Sequence, residues 1–401
     1  MTPRPPVRPP ARPLPLLDVP WLRSAETRTL LAALDGEGYF VGGCVRNALL
    51  GLSGTDIDIA TPLLPQEVTD RLVRAGLKAV PTGIEHGTVT AVVAGRPFEV
   101  TTFRADVETD GRRAVVRFST DMAEDAGRRD FTMNALYADA EGRVIDPLGG
   151  LPDLEARRVR FIGAAEARIR EDYLRILRFF RFSAWYGAGL DGPGLAACAA
   201  LRGGIAGLAR ERIGTEMRKL LAAPDPVAAV GAMETAGVLC AWLPGASAAP
   251  LGRLVAGERV SGAAPDWLRR LVAIGGDTPG SALRLSRAEA RAHETLAALV
   301  AAGEPPALAA EAAGPDLARS AALIRAAAEG TLPPPDLDAA LARGAQAVFP
   351  LAAEDLLAAG MRPGPGLGRA LATARAAWRA SDFALDKDAL LEVAQWNSQE
   401  D

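Results

Sequence analysis

The chain of 401 residues is long enough for several domains with sizeable cores. Hydrophobic residues make up 49% of it and charged residues 23%, which are the proportions of a globular protein. The net charge of −4 argues against a protein that coats nucleic acid nonspecifically, whereas a local basic surface stays compatible with this charge.

Residues 1–20 combine three arginines with many prolines and lack the apolar core of a signal peptide, which predicts a disordered tail. No run of about 18 apolar residues indicates a membrane span. Cys44, Cys198 and Cys240 are widely spaced and follow no metal-ligand pattern. We therefore expect buried small side chains in a cytoplasmic protein.

The first predicted elements are an amphipathic helix over residues 21–34 and a short apolar strand, Tyr39 to Val41. The strand ends at Gly42-Gly43, where the backbone can turn tightly and approach a ligand. A helical Ala-Leu-Leu segment and a Gly/Ser/Thr turn follow.

Asp56-Ile57-Asp58 comes next, with Ile59 after it. In a strand, alternate residues face the same side, so the two carboxylates would lie together while the isoleucines point into the core. Like charges this close repel each other, and a bound divalent cation is the usual remedy. Metal ions held in this way serve phosphoryl transfer.

A second helix is predicted from Pro65 to Leu77, followed by a hairpin of strands Thr88–Val93 and Phe98–Phe103. Alternation would let Glu99 face the same side as the aspartates, as a third metal ligand or an auxiliary carboxylate. A solvated strand residue is the alternative.

Residues 104–118 are highly charged and indicate a mobile loop, and residues 124–136 are expected to open a helix. An irregular turn follows over residues 146–154, and from about residue 164 only helical patterns remain. The predicted fold class is an α+β head, a mixed sheet with helices, followed by an all-α neck, body and tail.

The segment 171–182 has apolar residues on most sides of a predicted helix, which implies burial. Asp172 and Arg175 lie one helical step apart, and Arg178 and Arg181 continue a slanting row. Residues 157–181 contain eight arginines against three acidic residues, which supports a site for anions. A surface pair of Asp172 with Arg175 is the alternative for these charges.

Taken together, these stretches resemble the nucleotidyltransferase superfamily in its class II tRNA nucleotidyltransferase/poly(A) polymerase branch. The signatures stand in the family's order at residues 40–60, 128–136, 146–154, 171–182 and 209–219, and residues 355–369 resemble its tail more loosely. One departure is Asn47, where the family usually has Asp.

The resemblance implies that Asp56 and Asp58 hold Mg²⁺, with Glu99 as a catalytic carboxylate. Arg129 would contact the phosphate or sugar, because a guanidinium suits phosphate oxygens; an ion pair with Asp130 is its alternative role. The implied nucleotide-binding set is Gly42, Gly43, Arg46, Arg129, Asp130, Asn134, Asp172, Arg175, Arg178 and Arg181.

In this family a Glu-Asp-x-x-Arg motif selects the base without a template. Cytosine and adenine both present an amino donor beside a ring-nitrogen acceptor, so Asp172 could accept from the amine while Arg175 donates to the nitrogen. Guanine and uracil reverse the pattern, and each mismatch would cost about 1–3 kcal/mol.

The expected activity is addition of CCA to tRNA 3′ ends from CTP and ATP, without a membrane and without an HD-type phosphohydrolase domain, since only two histidines exist. The expected organisation is a tail (1–20), a head (21–158), a nucleotide-selecting neck (159–225), a helical body (226–335) and a tRNA-binding helical tail (336–401).

Alternatives within the family are poly(A) polymerase and enzymes that add only CC or only A. Against poly(A) polymerase, residues 382–401 contain six acidic residues and one lysine, whereas a grip on arbitrary RNA would gain from basic residues. Two alternatives lie outside the family. A non-catalytic RNA-binding protein would not need both aspartates, and a small-molecule nucleotidyltransferase would not need the long helical remainder.

Overall fold

The computed structural model describes residues 13–54, 56–110 and 113–396, with the side chains of 106–116 and 396 left out. The chain forms two compact units, Met1–Pro244 and Gly245–Asp401. The first unit extends beyond the predicted neck boundary at residue 225, because the helix Val227–Thr235 packs against the helix Leu174–Tyr186.

The first unit contains a seven-stranded mixed sheet in the order β3-β4-β5-β2-β1-β8-β9, and a separate hairpin of β6 and β7. Strands β2 and β5 are parallel, and the other neighbours are antiparallel. The strands are β1 Tyr39–Val41, β2 Asp58–Thr61, β3 Lys78–Gly83, β4 Thr88–Val93, β5 Arg96–Thr102, β6 Arg104–Asp110, β7 Arg113–Phe118, β8 Tyr137–Ala138 and β9 Val144–Ile145.

Eleven α-helices are described in this unit, with short 3-10 turns at Pro20–Arg23, Ile84–His86, Thr132–Asn134 and Arg202–Gly207. They are α1 Ala25–Ala33, α2 Gly43–Leu49, α3 Pro65–Arg74, α4 Met122–Gly127, α5 Leu151–Glu155, α6 Ala165–Glu171, α7 Leu174–Tyr186, α8 Gly192–Leu201, α9 Arg210–Leu221, α10 Val227–Thr235 and α11 Val238–Trp242.

Within its described residues the second unit contains only helices. They are α12 Leu251–Val260, α13 Trp267–Ile274, α14 Pro279–Ala282, α15 Arg287–Ala302, α16 Pro306–Ala313, α17 Pro315–Glu329, α18 Leu337–Gln346, α19 Ala353–Ala358, α20 Pro365–Ala380 and α21 Lys387–Trp396. The predicted fold class, a mixed-sheet head followed by helices, is confirmed. No helix in the described ranges is long and apolar enough to cross a membrane.

The core of the head lies between the sheet and helices α1 and α3. Ile59 is fully buried on β2, and its side chain lies close to Gly38 together with Leu31 of α1 and Leu34, which follows that helix. Because side chains alternate along a strand, Asp58 and Ala60 face the opposite side of the sheet. Ile59 therefore anchors the strand from one face and the buried Ala60 from the other, while Asp58 at the start of the strand remains available to the site.

Four local predictions were wrong. Residues 104–118 form the β6–β7 hairpin rather than a loop, apart from residues 111–112, which lie outside the described residues. The helix predicted within 124–136 ends at Gly127, and Cys240 is exposed rather than buried. Residues 13–17 were assigned to a disordered tail, but Leu17 is buried and its N–H bonds to the Gly142 carbonyl.

Candidate active site

The two aspartates lie where β2 begins. Asp58 is the first residue of the strand and is half-buried, whereas Asp56 precedes it and is exposed. Ile57 and Ile59 are buried, so the predicted alternation is present. In the parallel pairing of β2 with β5, Asp58 aligns with Glu99, which is exposed. The structure thus brings the three predicted carboxylates to one edge of the sheet.

The carboxylates at this edge of the sheet repel one another. Burial raises the pKa of Asp58 to about 6, with further increases from the Glu99 and Asp56 carboxylates and a decrease from Arg129. Among the described residues, no three His, Cys, Asp or Glu side chains converge as a ready cation site. Asp56 and Asp58 would therefore hold a cation as a carboxylate pair. Such a pair suits Mg²⁺, which commonly takes one or two carboxylates and completes its shell with water and substrate phosphate.

The Gly42-Gly43 turn brings α2 close to the same edge. Gly42 has φ of 71°, a conformation that favours glycine, and its N–H donates to the Leu136 carbonyl at 3.1 Å. A Cβ at Gly42 would lie 3.4 Å from Arg129 Nη1. The glycine therefore permits a close approach between the turn and Arg129.

Arg46 is buried in a network with other predicted residues. Its guanidinium donates to Asn134 Oδ1 and to the hydroxyl of Tyr186, the latter at 2.9 Å. Its Nε and Nη2 both donate to Asn47 Oδ1, at 3.0 and 2.8 Å. The amide oxygen of Asn47 thus holds Arg46 at the one position where the sequence departs from the family pattern.

Arg129 pairs with a residue that the sequence analysis did not single out. Its Nη2 donates to Asp125 Oδ2 at 2.9 Å, so among the described contacts the alternative ion pair with Asp130 is not formed. Asp130 instead accepts from Arg178 Nε at 2.7 Å, from the Phe131 N–H and from Asn134 Nδ2 at 2.9 Å. Burial would raise the pKa of Asp130, but the charge of Arg178 and these hydrogen bonds outweigh burial and lower it.

Asp172 and Arg175 lie differently from the prediction. The expected single helix over 171–182 is interrupted, because Asp172 has extended backbone angles between α6 and α7. Its carboxylate accepts from the Leu174 N–H at 3.1 Å and pairs with Arg212 at 2.7 Å. The burial predicted for this segment is confirmed by the apolar residues of α7, which are Leu174, Ile176, Leu177, Phe179, Phe180 and Phe182.

Arg175 is held by a different set of partners. It pairs with Glu171 through Nη1, which also donates to the Arg168 carbonyl at 2.9 Å, and its Nη2 donates to the Arg128 carbonyl at 3.1 Å. Among the described contacts, the alternative salt bridge between Asp172 and Arg175 is therefore absent. Each has its own partner, and both line the same cavity.

Arg178 and Arg181, further along α7, lie beside Glu216 of α9. Arg181 Nε lies 2.6 Å from Glu216 Oε2, and Arg178 Nη1 lies 3.6 Å from Oε1. The ring of Phe182 lies under three guanidiniums, those of Arg181 at 4.3 Å and of Arg178 and Arg46 at 5.2 Å. Such contacts stabilise clustered cations that would otherwise repel one another.

These side chains surround one cavity of about 570 Å³ with eight basic and four acidic lining residues. The lining is Gly42, Gly43, Arg46, Asp56, Asp58, Arg128, Arg129, Asp130, Asn134, Asp172, Leu174, Arg175, Arg178, Arg181, Phe182, Arg212 and Lys219. Every predicted site residue except Glu99 is among them. The excess of positive charge suits a polyanionic ligand.

Sequence reasoning did not assign five of these lining residues. They are Arg128, Leu174, Phe182, Arg212 and Lys219. Arg212 and Lys219 lie seven residues apart on α9 and hence on one helical face, and this spacing within the fifth signature could have indicated them.

Two segments of the chain match known protein families. Residues 38–160 match the family described as the poly A polymerase head domain. The head of this chain is therefore similar to that family. Residues 194–249 match a further family described as a probable RNA and SrmB-binding site of polymerase A. The likeness of the head to the nucleotidyltransferase family implies dependence on a divalent metal ion.

The curated relatives of this chain include two named enzymes. The CCA-adding enzyme of Oceanobacillus iheyensis is 46% identical over 207 residues, 51% of each chain. The mitochondrial CCA tRNA nucleotidyltransferase 1 of Homo sapiens is 44% identical over 192 residues, 46% of this chain and 44% of that protein. The chain thus spans about half the length of the curated relatives it matches.

A solved structure extends the likeness over nearly the whole chain. It is the Bacillus stearothermophilus CCA-adding enzyme in complex with CTP, with a TM-score of 0.73 and 29% identity, covering 94% of this chain and 97% of that one. The structural likeness therefore covers a larger share of the chain than the curated matches do, and it includes the helical second unit.

Proposed function

We propose that this protein adds CCA to the 3′ ends of tRNA without a template, using CTP and ATP and releasing pyrophosphate. The observation that carries the proposal is the single cavity that contains the Asp56–Asp58 pair together with Asp172, Arg175 and Arg178. One cavity thus holds a metal-type carboxylate pair and a set of side chains suited to the edge of a base. The CTP complex of the Bacillus stearothermophilus CCA-adding enzyme supports this assignment.

Asp56 and Asp58 would hold Mg²⁺. When bound, this ion would activate the attacking 3′ hydroxyl and stabilise charge on the transferred phosphate. Glu99 would act as an auxiliary carboxylate beside Asp58 rather than as a third ligand, because it is exposed and lies outside the cavity lining. Its role would be to keep the edge strongly negative and so favour cation binding.

The basic residues would bind the triphosphate. Arg129 lies against the Gly42 turn and its charge acts on Asp58, which supports a phosphate contact near the carboxylates. Guanidiniums suit phosphate oxygens because their donors match the geometry of two oxygens at once. Arg46, Asp130 and Asn134 form the connected polar wall next to it and would contact the sugar and phosphates.

Asp172 and Arg175 would read the base edge, each fixed by its own partner. Arg212 orients the Asp172 carboxylate and Glu171 orients the Arg175 guanidinium. Side chains held in this way need little reordering when a base arrives. A base with the reversed donor and acceptor pattern would leave a charged group unsatisfied in the cavity.

We also propose the domain limits expected from the sequence, with a head over 21–158, a nucleotide-selecting neck over 159–225, a body over 226–335 and a tRNA-binding tail over 336–401. The Gly/Pro segment before α20 opens that helix, and Trp378 on the same helix is buried, so the tail has a core of its own.

Extension assays with tRNA transcripts that lack the 3′ terminus, or that end in C or CC, would test the function. We expect CTP alone to add two residues, ATP alone to extend only the CC-ending transcript, and the mixture to complete CCA. The variant Asp58→Asn serves as the inactive control. Long runs of A on any transcript would instead identify a poly(A) polymerase, and extension that stops at CC would identify a partial enzyme.

A further inference from the structure

Asp125 is a buried carboxylate that does not line the cavity but contacts two arginines that do. It lies on α4 with 1% of its surface exposed. Oδ1 accepts from Arg128 Nε at 2.9 Å, and Oδ2 accepts from Arg129 Nη2 at 2.9 Å and from the Tyr137 hydroxyl at 2.7 Å. Each carboxylate oxygen therefore holds one of two consecutive arginines.

Arg129 is held on two edges. Its Nη2 contacts Asp125, and its Nε donates to the Tyr137 hydroxyl at 3.3 Å, while its Nη1 would lie 3.4 Å from a Cβ at Gly42. The guanidinium carbon also lies 5.4 Å from the centre of the Tyr137 ring. This arrangement fixes the plane of the guanidinium and directs one of its nitrogens toward the glycine turn.

The same carboxylate also reaches the base of the β6–β7 hairpin. The backbone N–H of Arg104, the first residue of β6, lies 3.4 Å from Asp125 Oδ1. Three segments of the head thus meet at one buried charge, namely the start of the hairpin, the arginine pair and strand β8. One carboxylate between two guanidiniums leaves the pair with a net positive charge, which an anion can use.

We propose that Asp125 is a positioning residue for the triphosphate, in that it orients Arg128 and Arg129 toward the phosphates that CTP and ATP share. This inference rests on the proposed function. A guanidinium with a fixed plane loses less conformational entropy when phosphate binds than one that is free to rotate. Because the phosphates are common to both substrates, Asp125 should affect CTP and ATP alike and should not alter their ratio.

Asp153 offers a matched control. It is also a buried aspartate, 3% exposed, and it accepts from the Thr132 hydroxyl at 2.7 Å and from Arg160 Nε at 2.8 Å. Neither Asp153 nor Arg160 lines the cavity. Asp153→Asn therefore removes a buried carboxylate with an arginine partner from the same unit without touching the arginines of the site.

The experiment compares wild type, Asp125→Asn, Tyr137→Phe and Asp153→Asn, with KM and kcat for CTP and ATP, inhibition by inorganic triphosphate, and thermal stability. For Asp125→Asn we expect the KM of both nucleotides and the inhibition constant of triphosphate to rise together by about 10- to 100-fold, with little change in kcat. Tyr137→Phe keeps the ion pair and should show a smaller rise in the same direction.

The inference is overturned if Asp125→Asn leaves KM and triphosphate inhibition unchanged, or if it merely matches Asp153→Asn in losing stability and kcat. If Asp125→Asn does not fold, the KM values and the triphosphate inhibition constant of Tyr137→Phe test the inference instead. A failure of the proposed function would look different, since wild type itself would then not extend tRNA. In that case triphosphate binding, measured by calorimetry on wild type and Asp125→Asn, still tests the positioning role.

Discussion

Asp58 and Glu99 lie opposite each other in the parallel pairing of β2 with β5, although 40 residues separate them in the chain. The pairing places two carboxylates on one face of the sheet with Asp56 nearby, and their mutual repulsion contributes to the raised pKa of Asp58. The arrangement is unfavourable without a cation and becomes favourable when one binds.

Asp58→Asn should abolish nucleotide transfer while leaving the fold intact, because it removes a metal ligand and also relieves repulsion. We expect a loss of about 1,000-fold or more in kcat/KM, with no decrease in melting temperature. Glu99→Gln should cause a smaller loss. The exposed Glu85 provides the control Glu85→Gln, which should retain wild-type turnover. Normal turnover by Asp58→Asn in Mg²⁺ would refute the assignment.

Arg175→Ala should lose discrimination against UTP and GTP by about 10- to 100-fold, rather than only activity. Asp172→Ala should weaken the use of both CTP and ATP, because both bases offer an amino donor. The measurement is kcat/KM for all four triphosphates. Arg168→Ala is a matched control, since Arg168 also pairs with Glu171 but does not line the cavity. Unchanged nucleotide ratios in a destabilised Arg175→Ala variant would contradict the base-reading role.

Shortening the β6–β7 hairpin should impair A addition more than C addition. The hairpin is joined to the site through the contact of the Arg104 N–H with Asp125, so its position can influence the cavity as the growing 3′ end changes. Transcripts ending in C and in CC, extended with CTP and ATP respectively, would measure the two steps. Equal losses in both steps would count against this idea.

Stability should fall in acid through Asp125. Burial would raise its pKa, but the charges of Arg129 and Arg128 and the Tyr137 hydroxyl outweigh burial and hold the pKa at about 2, against an ordinary 3.8. A folded-state pKa below the unfolded value gives stability that is present above pH 4 and is lost as pH falls toward 2. The contribution is about 2 kcal/mol.

Denaturant unfolding between pH 6 and about pH 2.5 would test this. Asp125→Asn should be less stable than wild type at pH 6 and should approach it as the pH falls. Asp70→Asn, on the exposed side of α3, should follow the wild-type curve. Parallel curves for wild type and Asp125→Asn would show that the ion pairs contribute nothing to acid sensitivity.

The sequence by itself determined the local chemistry of this protein. The alternation of Asp56, Ile57, Asp58 and Ile59 predicted which side chains are buried, because it depends only on strand geometry and on the cost of burying charge. The apolar residues on most sides of α7 and the change from mixed sheet to helices near residue 164 were likewise predictable, because residue composition and hydrophobic periodicity are local properties of the sequence.

Only the tertiary structure decided which charges pair. Neighbours in sequence suggested Arg129 with Asp130 and Asp172 with Arg175, whereas the folded chain pairs Arg129 with Asp125 and Asp172 with Arg212. A guanidinium is long enough to reach several carboxylates, so its partner depends on how strands and helices from distant segments meet. Asp172 illustrates this, since its partner Arg212 lies on α9, 40 residues further along the chain.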